Sequence, residues 1–207
     1  MRSRILKDDL ILSEFQKEVL TGLLLGDGCI ERSKNSPGAR LKVGQSLKQS
    51  EFAEWLYKIF KDFVQTPPRI KQTYKNGKKY DEVVFNTLTH PCFKSFHEMF
   101  YPLGKKIVPE SINQFLTDTA LAVWFMSDGS VKSKECRGRI LNTQSFSRAD
   151  IKRLTSLLKE KFNLQVNIRT QKDGLQIYIS AKSAGILNKL LKDKILPFFY
   201  YKLPFKS

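Results

Sequence analysis

The sequence predicts an α+β protein of two similar halves. Each half is ordered helix, hairpin, helix, hairpin, helix, and each yields a four-stranded antiparallel sheet. Three observations predict this. Two apolar runs, LTGLLLGDG at 20–28 and LAVWFMSDG at 121–129, both close on Asp-Gly, which sets Asp27 and Asp128 101 residues apart. The LKVGQS of 41–46 is answered by the ILNTQS of 140–145. Each half then carries an amphipathic stretch and a two-residue hairpin signal, Asn76-Gly77 in one and Asp173-Gly174 in the other. The strict strand–helix alternation of a doubly wound sheet is missing.

The first motif helix is read over 14–26, with Val19, Leu20, Leu23 and Leu24 at helical spacing. Gly22 and Gly26 fall four apart, on one face. A glycine inside a helix costs about 1 kcal/mol against alanine. Two on one face make sense where a second backbone comes close, and the second motif is the natural partner. Val123 and Ser127 stand there instead of glycine, so the packing is asymmetric. Gly28 and Gly129 suit the left-handed position that ends a helix. The second helix of each half is read over 50–63 and 147–162. The halves divide at 10–109 and 110–207, with Thr117 or Asp118 capping the second motif helix. Trp55, Phe60, Phe63, Trp124 and Phe125 read as core, and His90 and His97 as structural or surface residues.

The chain has 207 residues, with 36 lysines and arginines against 20 acids, a net charge of +16 and a pI near 9.8. With 41% hydrophobic and 12% aromatic residues it is too rich for a disordered basic tail. An ordered domain of this charge meets a polyanion, with nucleic acid first. Three cysteines without a CxxC pair exclude a disulfide framework and a zinc ribbon. The apolar stretches are too short to span a bilayer, and Asp8, Asp9 and Glu14 interrupt the N-terminus against a signal or transit peptide. Gly26-Asp-Gly28 lacks the third glycine and the lysine of phosphate-binding loops.

The chemistry is read from the motif ends. An aspartate at a helix C-terminus faces the negative end of the macrodipole, at a cost of a few tenths to about 1 kcal/mol. Two such carboxylates brought together by helix packing repel further, and a hard divalent cation with oxygen ligands relieves both effects. Around them, strand residues alternate. Arg40 and Lys42; Arg69, Lys71, Thr73 and Lys75; Asn167, Arg169 and Gln171; and Gln176, Tyr178 and Ser180 each share one face by period two. Such side chains suit phosphates and base edges in a major groove. Arg32, Lys34, Lys132, Lys134, Arg137 and Arg139 complete the expected DNA-binding set.

These residues resemble the LAGLIDADG homing endonucleases, in their monomeric two-motif branch. Leu20–Gly28 matches the nine-residue motif at five positions and Leu121–Gly129 at four. The 141–146 segment LNTQSF, the 201–204 segment YKLP and Pro67-Pro68 add to the resemblance, which runs from about Phe15 to Pro204. It implies a pseudo-twofold αββαββα pair with two saddle-shaped sheets, the motif helices at the interface. It also implies metal-dependent hydrolysis of both strands of a long asymmetric DNA site, promoting mobility of a host intron. Asp27 and Asp128 take the metal-binding positions, with the carbonyls of Gly26 and Ser127 as further ligands. Lys106 and Lys202 take the basic positions, and Gln45 and Gln144 the polar ones. The cofactor implied is Mg²⁺, with Mn²⁺ or Ca²⁺ substituting for binding. The partner implied is double-stranded DNA, with no membrane. An intron RNA maturase or an inactive DNA-binding protein on the same fold is the alternative. The compartment expected is an organelle or the prokaryotic cytoplasm, without secretion.

Overall fold

The computed structural model describes residues 9–75, 77–133 and 135–205. Asn76 of the first hairpin and Lys134 of the expected DNA-binding set lie outside the described residues. By contacts the described residues form two compact units, one within 9–17 and 27–99, the other within 18–26 and 100–205.

The element order is α1 (Glu14–Leu25), β1 (Cys29–Glu31), β2 (Arg40–Ser46), α2 (Ser50–Phe60), β3 (Arg69–Lys75), β4 (Lys78–Asn86), α3 (Lys94–Phe100), α4 (Ile112–Phe115), α5 (Asp118–Asp128), β5 (Gly129–Ser133), β6 (Cys136–Asn142), α6 (Arg148–Glu160), β7 (Val166–Gln171), β8 (Gly174–Ile179) and α7 (Ala184–Leu191). The strands form two antiparallel sheets with orders β1-β2-β4-β3 and β5-β6-β8-β7. The αββαββα order therefore occurs twice, as the repeat predicts.

Local chemistry sets the helix ends. Ser13 and Gln16 cap α1 reciprocally: the Gln16 amide donates to Ser13 Oγ at 3.2 Å and the Ser13 amide to Gln16 Oε1 at 2.9 Å. Thr117 caps α5 by accepting from the Ala120 amide at 3.2 Å. Ser147 and Asp150 form a full capping box on α6. The expected left-handed glycine after α5 is not what the backbone adopts. Gly129 is extended, at φ −71° and ψ 140°, because α5 runs straight into β5. A Cβ there would strike the carbonyl oxygen and ring of Phe125, so close approach requires the glycine. Among the described residues, positive φ occurs at Gly77, Gly104, Gly174 and Asn163.

Each sheet buries one face under its own helices. In the first unit α2 puts Phe52, Leu56 and Phe60 into the core with Leu41, Val43, Phe85 and Phe93, whereas Trp55 is only partly buried. In the second, Trp124 and Phe125 of α5, Leu154 and Leu158 of α6, and Leu187 and Leu191 of α7 join Leu141, Ile177 and Ile179. A fully buried leucine or phenylalanine contributes about 1.5–3 kcal/mol. His90 is buried, its Nδ1 accepting from the Cys92 amide at 3.2 Å. Among the described residues no helix is long and apolar enough to cross a membrane.

Candidate active site

The motif helices end differently. The first stops at Leu25, and the Gly26 amide donates to the carbonyls of Gly22 (3.2 Å) and Leu23 (3.0 Å), leaving Asp27 in the following turn. The second keeps Asp128 as its last residue. In the larger unit, residues 18–26 lie against α5, and the glycines permit it. A Cβ on Gly22 would strike the Ala120 carbonyl oxygen and come within 2.7 Å of Val123 Cβ. One on Gly26 would lie 2.5 Å from Ser127 Oγ and 3.6 Å from Asp128 Oδ2. The Gly26 backbone thus sits beside the Asp128 carboxylate.

Both expected lysines reach this region of the larger unit. Lys106 Nζ donates to the Gly26 carbonyl at 2.6 Å, and Lys202 Nζ donates to the Met126 carbonyl at 2.6 Å. Lys202 is only 5% exposed, and its ammonium also lies 4.8 Å from the centroid of Phe199. The Lys106 segment is anchored two residues on. The Val108 amide donates to Asp150 Oδ1 at 3.3 Å, and the Val108 carbonyl accepts from Arg153 at 2.9 Å.

The two expected glutamines do not stand alike. Gln45 is 4% exposed, on the inner face of β2 opposite Val83. Gln144 lies beyond the end of β6, half-buried, and donates to Asp173 Oδ2 at 3.2 Å. The registers explain the difference. Cys29 and Ser130 each follow a motif glycine, and they face Lys42 and Ile140 respectively. Gln45 therefore corresponds to the buried Thr143 rather than to Gln144. A one-residue slip turns every side chain to the other face.

One residue near the site has no counterpart in the expected set. Asn142 donates from Nδ2 to the Asp128 carbonyl at 2.8 Å, and its Oδ1 accepts from Gln176 at 2.9 Å. The ILNTQS echo is its only sequence signal.

The outer face of the first sheet carries Arg40, Lys42, Arg69, Lys71 and Thr73 as the alternation predicts. The alternation of β3 does not separate core from surface, because Ile70 and Tyr74 are also exposed on this edge strand. Glu31 binds both Arg40 (2.9 Å) and Lys42 (2.6 Å). Hydrogen bonds from Lys42 and Arg40 hold its carboxyl below the usual range. Arg32 pairs with Glu98 at 3.0 Å, and Lys34 is exposed.

On the second sheet Asn167, Arg169, Gln176 and Tyr178 share the outer face with Ile140 and Asn142. The hydroxyl end of the Tyr178 ring packs against Gly138, where a Cβ would strike it, and the ring is flanked by Lys132 (5.2 Å) and Arg169 (5.6 Å). Cys136 Sγ is 3.9 Å from its hydroxyl and accepts from the Gly138 amide at 3.3 Å. The Gly138 bond is the main cause holding the Cys136 thiol below its ordinary value, while burial raises the Tyr178 hydroxyl. Ser180 is used as the cap of the next turn, accepting from Lys182.

Arg139 departs from the expected DNA-binding set. It faces Val131 and Ile179 on the inner side of the sheet and is 5% exposed. Its guanidinium donates to the carbonyls of Lys202, Leu203, Cys136 and Gly138, so the pleat of β6 turns it away from any ligand on the outer face. Arg137 stacks over Phe205 at 4.6 Å.

The family model of the LAGLIDADG DNA endonuclease family matches residues 17–187. The chain belongs to the LAGLIDADG DNA endonuclease family. This LAGLIDADG chain is 30% identical over 208 residues to the cytochrome b mRNA maturase bI2 of Debaryomyces hansenii, covering 98% of this chain and 78% of that one. It is 29% identical over 208 residues to the DNA endonuclease I-ChuI of Chlamydomonas applanata, covering 93% and 95%. Among solved structures, the homing endonuclease I-WcaI bound to its DNA recognition sequence superposes with a TM-score of 0.89 at 28% identity, covering 96% of this LAGLIDADG chain and 89% of that one. The twin four-stranded sheets are those of the homing-endonuclease fold.

Proposed function

We propose that this protein acts as a monomer and hydrolyses both strands of a long asymmetric DNA site with the help of Mg²⁺, promoting mobility of its host intron. The observation that carries the reading is a lysine ammonium on a backbone carbonyl at the C-terminal end of each motif, that of Gly26 just past the first helix and that of Met126 in the second, close to an Asp-Gly pair. Asp27 and Asp128 are the proposed metal ligands, with the carbonyls of Gly26 and Ser127. The donor set fits a hard cation. All four donors are oxygens, and the missing Cβ of Gly26 leaves its backbone beside the Asp128 carboxylate. Among the described residues no three histidines, cysteines or acids gather into a closed cage. That suits an ion that keeps waters and shares substrate phosphates. When bound, such an ion lowers the pKa of water and stabilises charge at the phosphate.

The chain supplies the rest. The attacking water gives up a proton to bulk water as its oxygen bonds to phosphorus, the phosphorus–oxygen bond to the leaving sugar breaks, and the departing oxygen takes a proton back from water. Lys106 and Lys202 stabilise charge developing on the phosphoryl oxygens. Gln45, through its buried position, supports β2, and Gln144 contacts DNA or orders water. The outer-face cations bind phosphates and base edges. Intron RNA processing on the same fold is the second reading, supported by the likeness to a cytochrome b mRNA maturase. The proposed place of action is where its intron is transcribed, an organelle or the prokaryotic cytoplasm.

The test is cleavage of a plasmid carrying the uninterrupted intron-insertion junction, with Mg²⁺. Asp27→Asn and Asp128→Asn are each expected to abolish double-strand cleavage while binding persists in Ca²⁺. If both variants cut like the wild type, the metal assignment is wrong. Splicing of the intron transcript by a cleavage-dead variant would favour the second reading.

A further inference from the structure

We infer that Arg139 is a positioning residue for Lys202, fixing the second lysine by holding its main chain. The inference rests on the reading that Lys202 acts in cleavage. Lys202 belongs to a short helical turn, Pro197–Lys202, that is followed at once by extended Leu203. The Arg139 side chain ties it to the sheet: its Nε donates to the Lys202 carbonyl at 2.5 Å and its Nη2 donates to the Leu203 carbonyl. The third nitrogen, Nη1, donates to the carbonyls of Cys136 (3.1 Å) and Gly138 (2.9 Å), which locks the guanidinium to its own strand. One rigid planar fork therefore links β6 to the backbone atoms that carry Lys202. Lysine could not replace it, since an ammonium has no such fork.

The two sheets differ at this point. Arg139 faces Val131 where, at the matching place in the first sheet, Leu41 faces Ile30. The Lys106 segment has a different anchor, through Val108 to Asp150 and Arg153. A buried guanidinium is costly to desolvate unless its donors are used, and this one spends four of its five N–H donors on carbonyls. Its geometry is consistent with a device for placing one residue. The ammonium it places ends 2.6 Å from the Met126 carbonyl, two residues before Asp128. A displacement of about 1 Å in such a group costs roughly 10²-fold in rate.

The experiment uses the full chain and a duplex target with each strand labelled separately. Arg139→Met and Arg139→Lys are compared with Lys202→Met and Lys106→Met in single-turnover cleavage, with DNA affinity measured in Ca²⁺. Lysine acetylation read by mass spectrometry reports the position of Lys202 independently of activity. The expected result is that Arg139→Met slows, by roughly 10²-fold, the same strand that Lys202→Met slows. Affinity stays unchanged, and Lys202 turns from protected to acetylated. Arg139→Lys, which keeps the charge, should fall between Arg139→Met and the wild type and covers the case in which the methionine variant does not fold. A Lys202→Met defect with wild-type cleavage in both Arg139 variants overturns the inference alone. Wild-type cleavage by Lys202→Met overturns the reading of Lys202 and the inference with it. Equal slowing of both strands together with lost affinity would mark Arg139 as merely structural and also overturns it.

Discussion

Lys106 places its ammonium 2.6 Å from the carbonyl oxygen of Gly26, the residue bonded to Asp27. The second lysine takes the carbonyl one step earlier in its motif, that of Met126. The two motif ends are therefore built to the same plan with unequal parts.

Lys106→Met is expected to slow cleavage by about 10²-fold, the usual loss for one donor to developing charge. Affinity for the target in Ca²⁺ should hold, because the ammonium is directed at the motif backbone. Single-turnover cleavage with filter binding on the same preparation checks both halves of the statement. A drop in affinity equal to the drop in rate would assign Lys106 to DNA binding instead.

The glycines of the first motif give a stability prediction with an internal control. Gly22→Ala meets backbone, the Ala120 carbonyl oxygen and the Trp124 amide at 3.0 Å, neither of which can turn aside. Overpacking of this kind costs about 1–3 kcal/mol, more than the roughly 1 kcal/mol that alanine gains in helix propensity. Gly26→Ala meets only the Ser127 side chain among its near neighbours at 2.5 and 2.7 Å. Adding Ser127→Gly should therefore recover much of the loss at Gly26 and none of that at Gly22. Denaturant unfolding of the two double mutants measures the coupling.

The fold was legible because its signals are local. An apolar run ending in Asp-Gly, the two hairpin dipeptides and the capping Thr117 all act within a few residues. The second hairpin shows the limit even there: Gln171 pairs with Gly174, so Lys172 and Asp173 form the turn and Gly174, at φ 139°, opens β8. The site was legible only in part, because strand facing depends on distant partners. The echo pairs Gln45 with Gln144, but the strand registers pair Gln45 with Thr143. Arg139 reads as one more surface cation until the 63-residue separation to Lys202 is closed by folding. Gly129 is needed where the sequence indicates, but for contact with Phe125 rather than for a left-handed turn.

Glu31 restrains two cations of the DNA face, and Glu31→Gln should release them. Freed Arg40 and Lys42 can neutralise up to two more phosphates. Affinity at low salt is then expected to rise, and the slope of log K against log salt to steepen by up to about 2. Titration of binding between 50 and 300 mM salt checks it, and an unchanged slope would exclude these residues from phosphate contact. The pH dependence has a fixed sign. The carboxyl is held below its ordinary 4.5 by Lys42 and Arg40, so the pairing stabilises the fold fully above that value and is lost as pH falls through the lowered one. The stability difference between the wild type and Glu31→Gln should therefore be present at neutral pH and fade in acid.

Asp150 joins two tasks, and variants can separate them. Its Oδ2 closes the cap of α6 with Ser147, accepting from the Ser147 amide at 3.2 Å and its hydroxyl at 2.6 Å. Its Oδ1 accepts from the Val108 amide and from Arg153. Ser147→Ala removes part of the cap, about 1 kcal/mol, but leaves Val108 held. Asp150→Ala removes the cap contact and leaves a buried amide without its acceptor, about 1–3 kcal/mol more. Both variants should melt earlier than the wild type. Only Asp150→Ala is expected to slow cleavage at a temperature where both remain folded, because only it loosens the chain two residues from Lys106. Matched cleavage rates in the two variants would show that the Val108 anchor contributes to stability alone.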